Sequence, residues 1–221
     1  MQIINGRNIR AFSCYMNNIP EKVVKYQKEV FNTLGMELNQ ELSNLPYHHT
    51  WMNQKINSID FDILIFFDID CIPLKSGLYE YIVDQISDNN SIIGVEQVNQ
   101  TRSPDFVYAA PSCFGITKEV FEKMNKPSFN ITNEYDCGGE FSWVAPIYNV
   151  DVKLFKITTS LNRKWKCWDK RYGNGTTYDD WLYHQFEVRF HDSDVESKLN
   201  TYQFLKKCKE TIKKHESLSI N

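Results

Sequence analysis

The run DILIFFDIDCIPL, residues 62–74, constrains the fold of this 221-residue chain more than any other segment. It holds five consecutive apolar residues, Ile63 to Phe67, a pattern typical of a strand buried on both faces of a sheet. Asp68 and Asp70 follow directly, with only Ile69 between them. In an extended chain, residues i and i+2 project to the same side about 7 Å apart, so we expect the two carboxylates to face one shared space.

Segments with strand patterns alternate along the chain with segments that have helical patterns. Residues 20–35 predict a helix, because a proline lies in the first turn and a glycine follows the end. Helices are also predicted over 48–59 and 78–86, and a C-terminal helix at about 193–215. This alternation predicts an α/β fold with a mostly parallel central sheet and helices on both faces. We expect residues 1–221 to form a single domain.

The second half of the chain has less regular patterns. We expect a helix that Asp136 caps, and this helix should kink or end at Pro146. Residues 168–180, rich in glycine and aromatic residues, are predicted to form a loop, and residues 181–190 a strand. The last helix is expected to begin with a capping box, Ser193 to Glu196.

Charge, hydropathy and cysteine spacing exclude several classes of protein. The net charge is −3 with both signs interspersed, which gives no field that would attract nucleic acid or an anionic membrane. No apolar run is long enough to span a bilayer, and the N-terminal residues lack a signal-peptide core. We therefore expect a soluble, cytoplasmic protein with no transmembrane segment and no nucleic-acid partner. The six cysteines form no C-x-x-C pair and are predicted to be buried free thiols.

The two aspartates predict a cation site. Unpaired carboxylates that share one space repel each other and resist desolvation, so a positive group is expected beside them. A hard divalent cation takes oxygen ligands and attracts phosphates, and could therefore bridge Asp68 and Asp70 to a diphosphate. The alternative is a pair of solvated aspartates that merely end a strand. The sequence has no G-x-x-x-x-G-K-[ST] loop, which excludes a P-loop enzyme.

The run DILIFFDIDCIPL, about seventy residues into an α/β chain, resembles the D-x-D segment of GT-A-fold nucleotide-sugar glycosyltransferases. The resemblance extends more loosely over most of the chain, through CFGITKEVFEKM, EYDCGGEFSW and WLYHQFEVRF. It implies a GT-A-like fold and a glycosyltransferase of the hexosyltransferase kind. Such an enzyme moves a sugar from a nucleotide-diphosphate sugar, with UDP-sugars favoured, to a hydroxyl of an acceptor glycan or other acceptor.

The resemblance also implies metal ligands. Asp68 would meet the donor ribose or the metal, and Asp70 would ligate Mn²⁺ or Mg²⁺. His184 matches a histidine that completes the metal shell in some of these enzymes, and His191 is the fallback. The alternative for His184 is a half-buried strand histidine bonded to a carbonyl. An imidazole ligand would favour Mn²⁺ over Mg²⁺.

An inverting reaction would need a carboxylate that deprotonates the acceptor hydroxyl. Asp136 and Glu140 match the position of this base in inverting members of the family, and Glu134 is a weaker match. The alternative role for Asp136 is helix capping. A retaining enzyme would need no such base, so the stereochemistry stays open.

The resemblance places the donor nucleotide against the end of the first strand and the helix before the D-x-D strand. The predicted nucleotide-binding residues of these two elements are Ser13, Tyr15, Asn17, His49, Trp51 and Lys55. The alternative for the helix residues is an ordinary first helical turn. Three aromatic residues near the glycine-bearing loop could stack on an acceptor sugar or pack in the core: Trp165, Trp168 and Tyr172.

Three other interpretations stay open. A haloacid-dehalogenase-type phosphatase also carries D-x-D after an apolar strand, but its motif lies near the N-terminus and has Thr or Val where this chain has Ile72. A sugar-nucleotide nucleotidyltransferase would begin with a glycine-rich basic loop, which FSCYMNNIPEK is not. The third is a non-catalytic sugar-binding domain of GT-A-like fold.

Overall fold

The computed structural model describes residues 2–99, 103–189 and 195–219, which form a mixed α/β fold. The α-helices in these residues are α1 (Glu21–Thr33), α2 (His48–Ser58), α3 (Leu78–Ile86), α4 (Lys118–Lys123), α5 (Gly139–Val144) and α6 (Val195–Ser219). The strands are β1 (Gln2–Ile4), β2 (Arg7–Tyr15), β3 (Asn39–Leu42), β4 (Ile63–Asp68), β5 (Cys71–Pro73), β6 (Ser91–Asn99), β7 (Ser103–Thr117), β8 (Asp151–Phe155), β9 (Ile157–Ser160), β10 (Trp165–Cys167), β11 (Lys170–Tyr172), β12 (Thr176–Tyr178) and β13 (Leu182–His184). The predicted helices over 20–35, 48–59 and 78–86 are confirmed as α1, α2 and α3.

A central sheet has the strand order β1-β2-β4-β7-β6-β8, with β3 also paired to β2. Strands β3, β2 and β4 are parallel to one another, and β8 is parallel to β6. Strand β7 is antiparallel to both of its neighbours, β4 and β6, and β1 is antiparallel to β2. All strands of this sheet except β1 and β7 therefore point in the same direction, and the prediction of a largely parallel sheet is confirmed.

Alternate residues of β4 face two separate hydrophobic cores. Ile63, Ile65 and Phe67 pack with buried residues of α1, α3 and α6. Leu64 and Phe66 pack with buried residues of α2, α4 and α5. All five side chains are at most 1% exposed. Helices therefore cover both faces of the sheet, which explains the unbroken apolar run.

The chain leaves the central sheet at the two aspartates. Strand β4 ends at Asp68, and Ile69 and Asp70 form a turn before β5. The expectation that both carboxylates lie along one extended strand is therefore wrong. Strand β5 belongs to a second, antiparallel sheet with the order β5-β13-β12-β9, so the turn joins the two sheets.

The predicted cap at Asp136 is wrong. Helix α5 begins at Gly139, and its N-cap is Gly138, whose φ of +76° a glycine adopts without a steric penalty. Asp136 Oδ1 instead accepts a hydrogen bond from the neighbouring Cys137 N–H at 2.8 Å. Helix α5 ends before Pro146, as predicted, and continues as a 3-10 helix.

Two further predictions in the second half of the chain need correction. Residues 168–180 contain β11 and β12 rather than only a loop, and β11 pairs with β10. Within the described part of the strand predicted over 181–190, only β13 forms, because Phe186 and Glu187 take left-handed φ angles of 61° and 57° that break the extended chain. The cap predicted at Ser193 lies outside the described residues. None of the described helices has both the length and the apolar composition needed to cross a membrane.

Candidate functional site

Two aspartates and a histidine meet beyond the end of β4. Asp68, Asp70 and His184, called here the Asp-Asp-His cluster, offer ligand atoms that all lie within 4.8 Å of one another. His184 Nε2 is 3.1 Å from Asp70 Oδ1 and 3.5 Å from Asp68 Oδ2. The side chains of Asp70 and His184 are buried, whereas that of Asp68 is 27% exposed. The cluster could therefore hold a metal ion that remains accessible from the Asp68 side.

Strand pairing brings the histidine to the aspartates. The antiparallel register of β5 with β13 places His184 opposite Cys71, the residue directly after Asp70. The Gln185 N–H also donates to the Asp70 carbonyl oxygen at 3.0 Å. His184 is thus fixed by backbone hydrogen bonds beside the turn of residues 68–71, called here the D-x-D turn.

The segment that follows His184 is anchored by the last helix. Gln185 is fully buried, and its Nε2 donates to Gln203 Oε1 at 3.1 Å and to Asn200 Oδ1 at 3.4 Å. Asn200 Nδ2 donates in turn to the Glu187 carbonyl oxygen at 3.4 Å. Helix α6 therefore holds one side of the cluster in place.

The carboxyl group of Asp70 is an anion despite its burial. Burial alone would raise the pKa of Asp70, because it penalises the charged form. The charge and hydrogen bond of His184, with backbone hydrogen bonds that include the Val188 N–H, outweigh this effect and lower the pKa of Asp70 below its ordinary value. Asp70 is therefore ionised at neutral pH and can serve as a metal ligand.

The donor set of the cluster fits a divalent cation of the Mn²⁺ or Mg²⁺ kind. Two carboxylates supply hard oxygen ligands, and the imidazole adds a nitrogen that suits Mn²⁺ better than Mg²⁺. His184 directs Nε2 at both carboxylates, while its Nδ1 is buried without a hydrogen-bond partner in the part of the chain that the structure describes. Nε2 is thus the nitrogen that a shared cation would meet. His191, the fallback ligand, lies outside the described residues.

The cluster lines a cleft of about 580 Å³, a volume in the range of small-molecule sites. Its charged and imidazole lining residues, among those described, are Asp68, Asp70, Asp136, Glu187, Arg189, His48, His49 and His184. Carboxylates outnumber the guanidinium in this set. An anionic diphosphate would therefore be repelled here unless a cation neutralised the aspartates.

The predicted donor-binding residues separate into two groups. Tyr15 and His49 line the cleft. Ser13 is fully buried within β2, and Asn17 is also outside the lining, although its neighbour Asn18 belongs to it. The end of β2 therefore does form one wall, but not through every residue predicted.

Trp51 and Lys55 do not line the cleft and instead bind Glu41. Trp51 Nε1 donates to Glu41 Oε2 at 3.1 Å, and Lys55 Nζ forms an ion pair with Glu41 Oε1 at 2.7 Å. The Trp51 ring stacks on His48, with ring centroids 6.2 Å apart. His48 Nδ1 lies 3.7 Å from Asp68 Oδ1, so His48, which was not among the predicted site residues, lies beside the cluster.

The three candidate bases differ in whether they line the cleft. Asp136 lines the cleft, whereas Glu140 and Glu134 do not. The Glu140 carboxylate accepts hydrogen bonds from the Ser128 N–H at 3.1 Å and the Ser128 hydroxyl at 2.7 Å. Asp136 is therefore the candidate base that an acceptor in the cleft could reach.

One of the three predicted acceptor-stacking aromatics lines the cleft. Trp165 lines the cleft, whereas Trp168 is exposed outside it and Tyr172 is fully buried. Polar lining residues that the sequence did not identify are Asn18, Gln97, Ser112, Glu187 and Arg189. Glu187 and Arg189 had a usable signal, because they follow His184 by three and five residues on the same segment.

No protein-family model matches the chain, and no curated protein matches it in sequence. Among solved structures, A197 from STIV matches 85% of this chain and 99% of its own, with 10% sequence identity and a TM-score of 0.43. A glycosyltransferase involved in the glycosylation of the major capsid of PBCV-1 matches 52% of this chain and 62% of its own, with 13% identity and a TM-score of 0.35. What the cleft binds is therefore inferred from its own geometry and charge.

Proposed function

We propose that this protein is a metal-dependent glycosyltransferase with a GT-A-like fold. It moves a sugar from a nucleoside-diphosphate sugar, a UDP-sugar by resemblance, to a hydroxyl of a carbohydrate or other acceptor. The observation that carries the proposal is the Asp-Asp-His cluster in a ligand-sized cleft at the end of the central strand β4. Ligands of open α/β sheets bind beyond the carboxyl ends of the strands, which is where this cleft lies.

The cluster residues divide the work of holding a cation and a donor. Asp70 and His184 are buried and fixed by hydrogen bonds, so they form the rigid part of a metal site. Asp68 is partly exposed and faces both the cluster and the cleft, so it can also meet the donor ribose. A bound Mn²⁺ or Mg²⁺ would neutralise the diphosphate and stabilise the nucleoside diphosphate as a leaving group.

In this proposal, other lining residues bind the donor and the acceptor. Arg189 supplies a guanidinium that can donate two parallel hydrogen bonds to phosphate oxygens. Tyr15 and His49 lie on the wall formed by β2 and α2, where they would contact the donor nucleotide. Asp136 would take the proton of the acceptor hydroxyl if the reaction inverts the anomeric centre, and Trp165 would contact the acceptor sugar.

A thermal-shift screen tests this proposal. UDP-, GDP-, CDP- and dTDP-sugars are added with Mn²⁺ or with excess chelator. We expect one class of donor to raise the melting temperature only when Mn²⁺ is present, because ligands that bind the folded state alone stabilise it. Release of the nucleoside diphosphate, followed with a panel of acceptors, then measures transfer. Equal donor affinity in chelator would contradict metal dependence.

Three further measurements distinguish the alternative functions. Hydrolysis of a simple phosphate ester without any nucleotide would indicate a phosphatase. Release of pyrophosphate from a nucleoside triphosphate and a sugar phosphate would indicate a nucleotidyltransferase. Saturable sugar binding with no turnover for any donor would indicate a non-catalytic binding domain.

A further inference from the structure

One buried amide spans the turn that carries the aspartates. Gln27 lies on α1 and is fully buried. Its Nε2 donates to the carbonyl oxygen of Asp68 at 2.7 Å and to that of Cys71 at 2.9 Å. These are the last residue of β4 and the first of β5. A single side chain thus ties together the two ends of the D-x-D turn.

A second glutamine fixes the orientation of this amide. Gln40 Nε2 donates to Gln27 Oε1 at 2.8 Å and to the Val24 carbonyl oxygen at 2.9 Å. A reversed Gln27 amide would face its oxygen toward two carbonyl oxygens and its NH₂ toward the Gln40 donor. The network therefore permits one orientation, in which both Gln27 N–H groups have acceptors.

The turn is held from the opposite side by β13. The Asp70 carbonyl oxygen accepts from the Gln185 N–H, and Cys71 pairs with His184. Three backbone carbonyls in four consecutive residues are consequently fixed, two of them by Gln27. These bonds constrain the backbone from which the two carboxylates project.

We infer that Gln27 is a positioning residue that sets the geometry of the metal ligands Asp68 and Asp70. The inference rests on the proposed function, in which the Asp-Asp-His cluster binds a divalent cation. Gln27 acts through the backbone, since it touches the carbonyls of the turn and not the ligand atoms. Without it, the turn loses two hydrogen bonds from a buried amide, and the backbone that carries the carboxylates is less constrained.

The test is a calorimetric titration of the full chain with Mn²⁺ alone, well below the melting temperature of each variant. Gln27→Met keeps the length of the side chain and removes its donors. We expect its Mn²⁺ affinity to fall about 10-fold to 100-fold, the range found when an outer partner of a metal ligand is removed. Leu34→Ala is the matched control, because Leu34 caps the C-terminus of α1 and is buried in the core about 10 Å from Gln27 along the helix axis. It should lower the melting temperature and leave Mn²⁺ affinity unchanged.

Each outcome decides the inference. If Gln27→Met loses stability as Leu34→Ala does but binds Mn²⁺ like the wild type, Gln27 is only a structural residue and the inference fails. If Gln27→Met does not fold, Gln40→Met replaces it, and a loss of Mn²⁺ affinity in a stable protein is again required. Wild-type protein that binds no Mn²⁺ would overturn the metal-dependent function, and this inference with it.

Discussion

His184 Nε2 lies 3.1 Å from Asp70 Oδ1, although 114 residues separate the two in the chain. The contact exists because β13 pairs with β5 immediately after the D-x-D turn. The end of β4 and the turn after it thus contribute the aspartates, and the second sheet, anchored by α6, contributes the histidine. The integrity of the cluster therefore depends on both sheets.

Replacing Asp70 should abolish function with little change in the fold. Asp70→Asn keeps the shape of the side chain but removes the charge that a cation requires. We expect Mn²⁺ affinity and sugar transfer each to fall by at least about 100-fold, since even outer partners of metal ligands cost 10-fold to 100-fold. Calorimetry with Mn²⁺ and a transfer assay measure the two effects, and circular dichroism checks the fold.

Asp60→Asn is the matched control for this substitution. Asp60 pairs with Lys118 on the surface, and its side chain is 90% exposed. An exposed ion pair contributes little, so both metal affinity and transfer should stay at the wild-type level. Full activity in Asp70→Asn would mean that the cluster is not the catalytic metal site.

The sequence was sufficient to predict the central part of the site. The apolar run and the two aspartates are contiguous, so β4, its burial and the carboxylates at its end could be predicted from a single segment. Asp70 lies in a turn rather than a strand, however, because β5 departs toward the second sheet. No local pattern contains that change of sheet.

Residues that reach the site through tertiary structure could not be predicted in the same way. His184 was identified only through resemblance, because its position depends on the register of β13 with β5. Gln27 has the helical spacing of a core residue, and nothing in the sequence distinguishes a glutamine that binds a distant turn. Arg189 lines the cleft beyond Phe186 and Glu187, whose left-handed φ angles end the extended chain after β13.

Replacing Arg189 should weaken donor binding selectively. Arg189→Gln removes the arginine that lines the cleft in the described part of the chain. A hydrogen bond to a charged group contributes about 1.5–3 kcal/mol, so we expect the donor dissociation constant to rise roughly 10-fold to 100-fold. Mn²⁺ affinity measured without donor should not fall, because Arg189 is not a metal ligand.

Arg171→Gln provides the comparison for this variant, since Arg171 is exposed on β11 and does not line the cleft. Its donor affinity should match the wild type. An equal loss in both variants would indicate a general charge effect rather than a contact in the cleft.

The six cysteines should react slowly in the folded protein. All six are free, and burial raises the pKa of each thiol, to about 12 for Cys14 and to about 11 for Cys167. Only the thiolate reacts, so alkylation at pH 8 should be slow and should accelerate about tenfold per pH unit below these pKa values. Mass spectrometry of protein treated with iodoacetamide measures the rate at each position.

Cys137 should be labelled first, because it is the least buried cysteine and lines the cleft. Adding Mn²⁺ with a bound donor should slow its labelling. Because no disulfide is present, a reductant should leave the melting temperature unchanged. Rapid labelling of several cysteines at pH 7 would be inconsistent with these raised pKa values.

Substitutions of Asp136 and Glu140 should have different effects, on kcat for Asp136 and on the melting temperature for Glu140. Asp136→Asn retains the oxygen that accepts from the Cys137 N–H, so the melting temperature should barely change. Donor affinity should also persist, because the metal ligands are intact. Only proton removal from the acceptor is lost, and kcat should fall about 10²-fold to 10⁴-fold. Nucleoside-diphosphate release at saturating donor measures this effect.

Glu140→Gln should lower the melting temperature and leave kcat unchanged. Its carboxylate accepts two hydrogen bonds from Ser128 outside the cleft, and a neutral amide accepts them more weakly. A loss of about 1 kcal/mol would lower the melting temperature by roughly 2–4 °C in a chain of this length, with kcat unchanged. If Asp136→Asn kept normal kcat while Glu140→Gln lost it, the base would be Glu140. If both kept normal kcat, neither carboxylate would be the base, as a retaining mechanism requires.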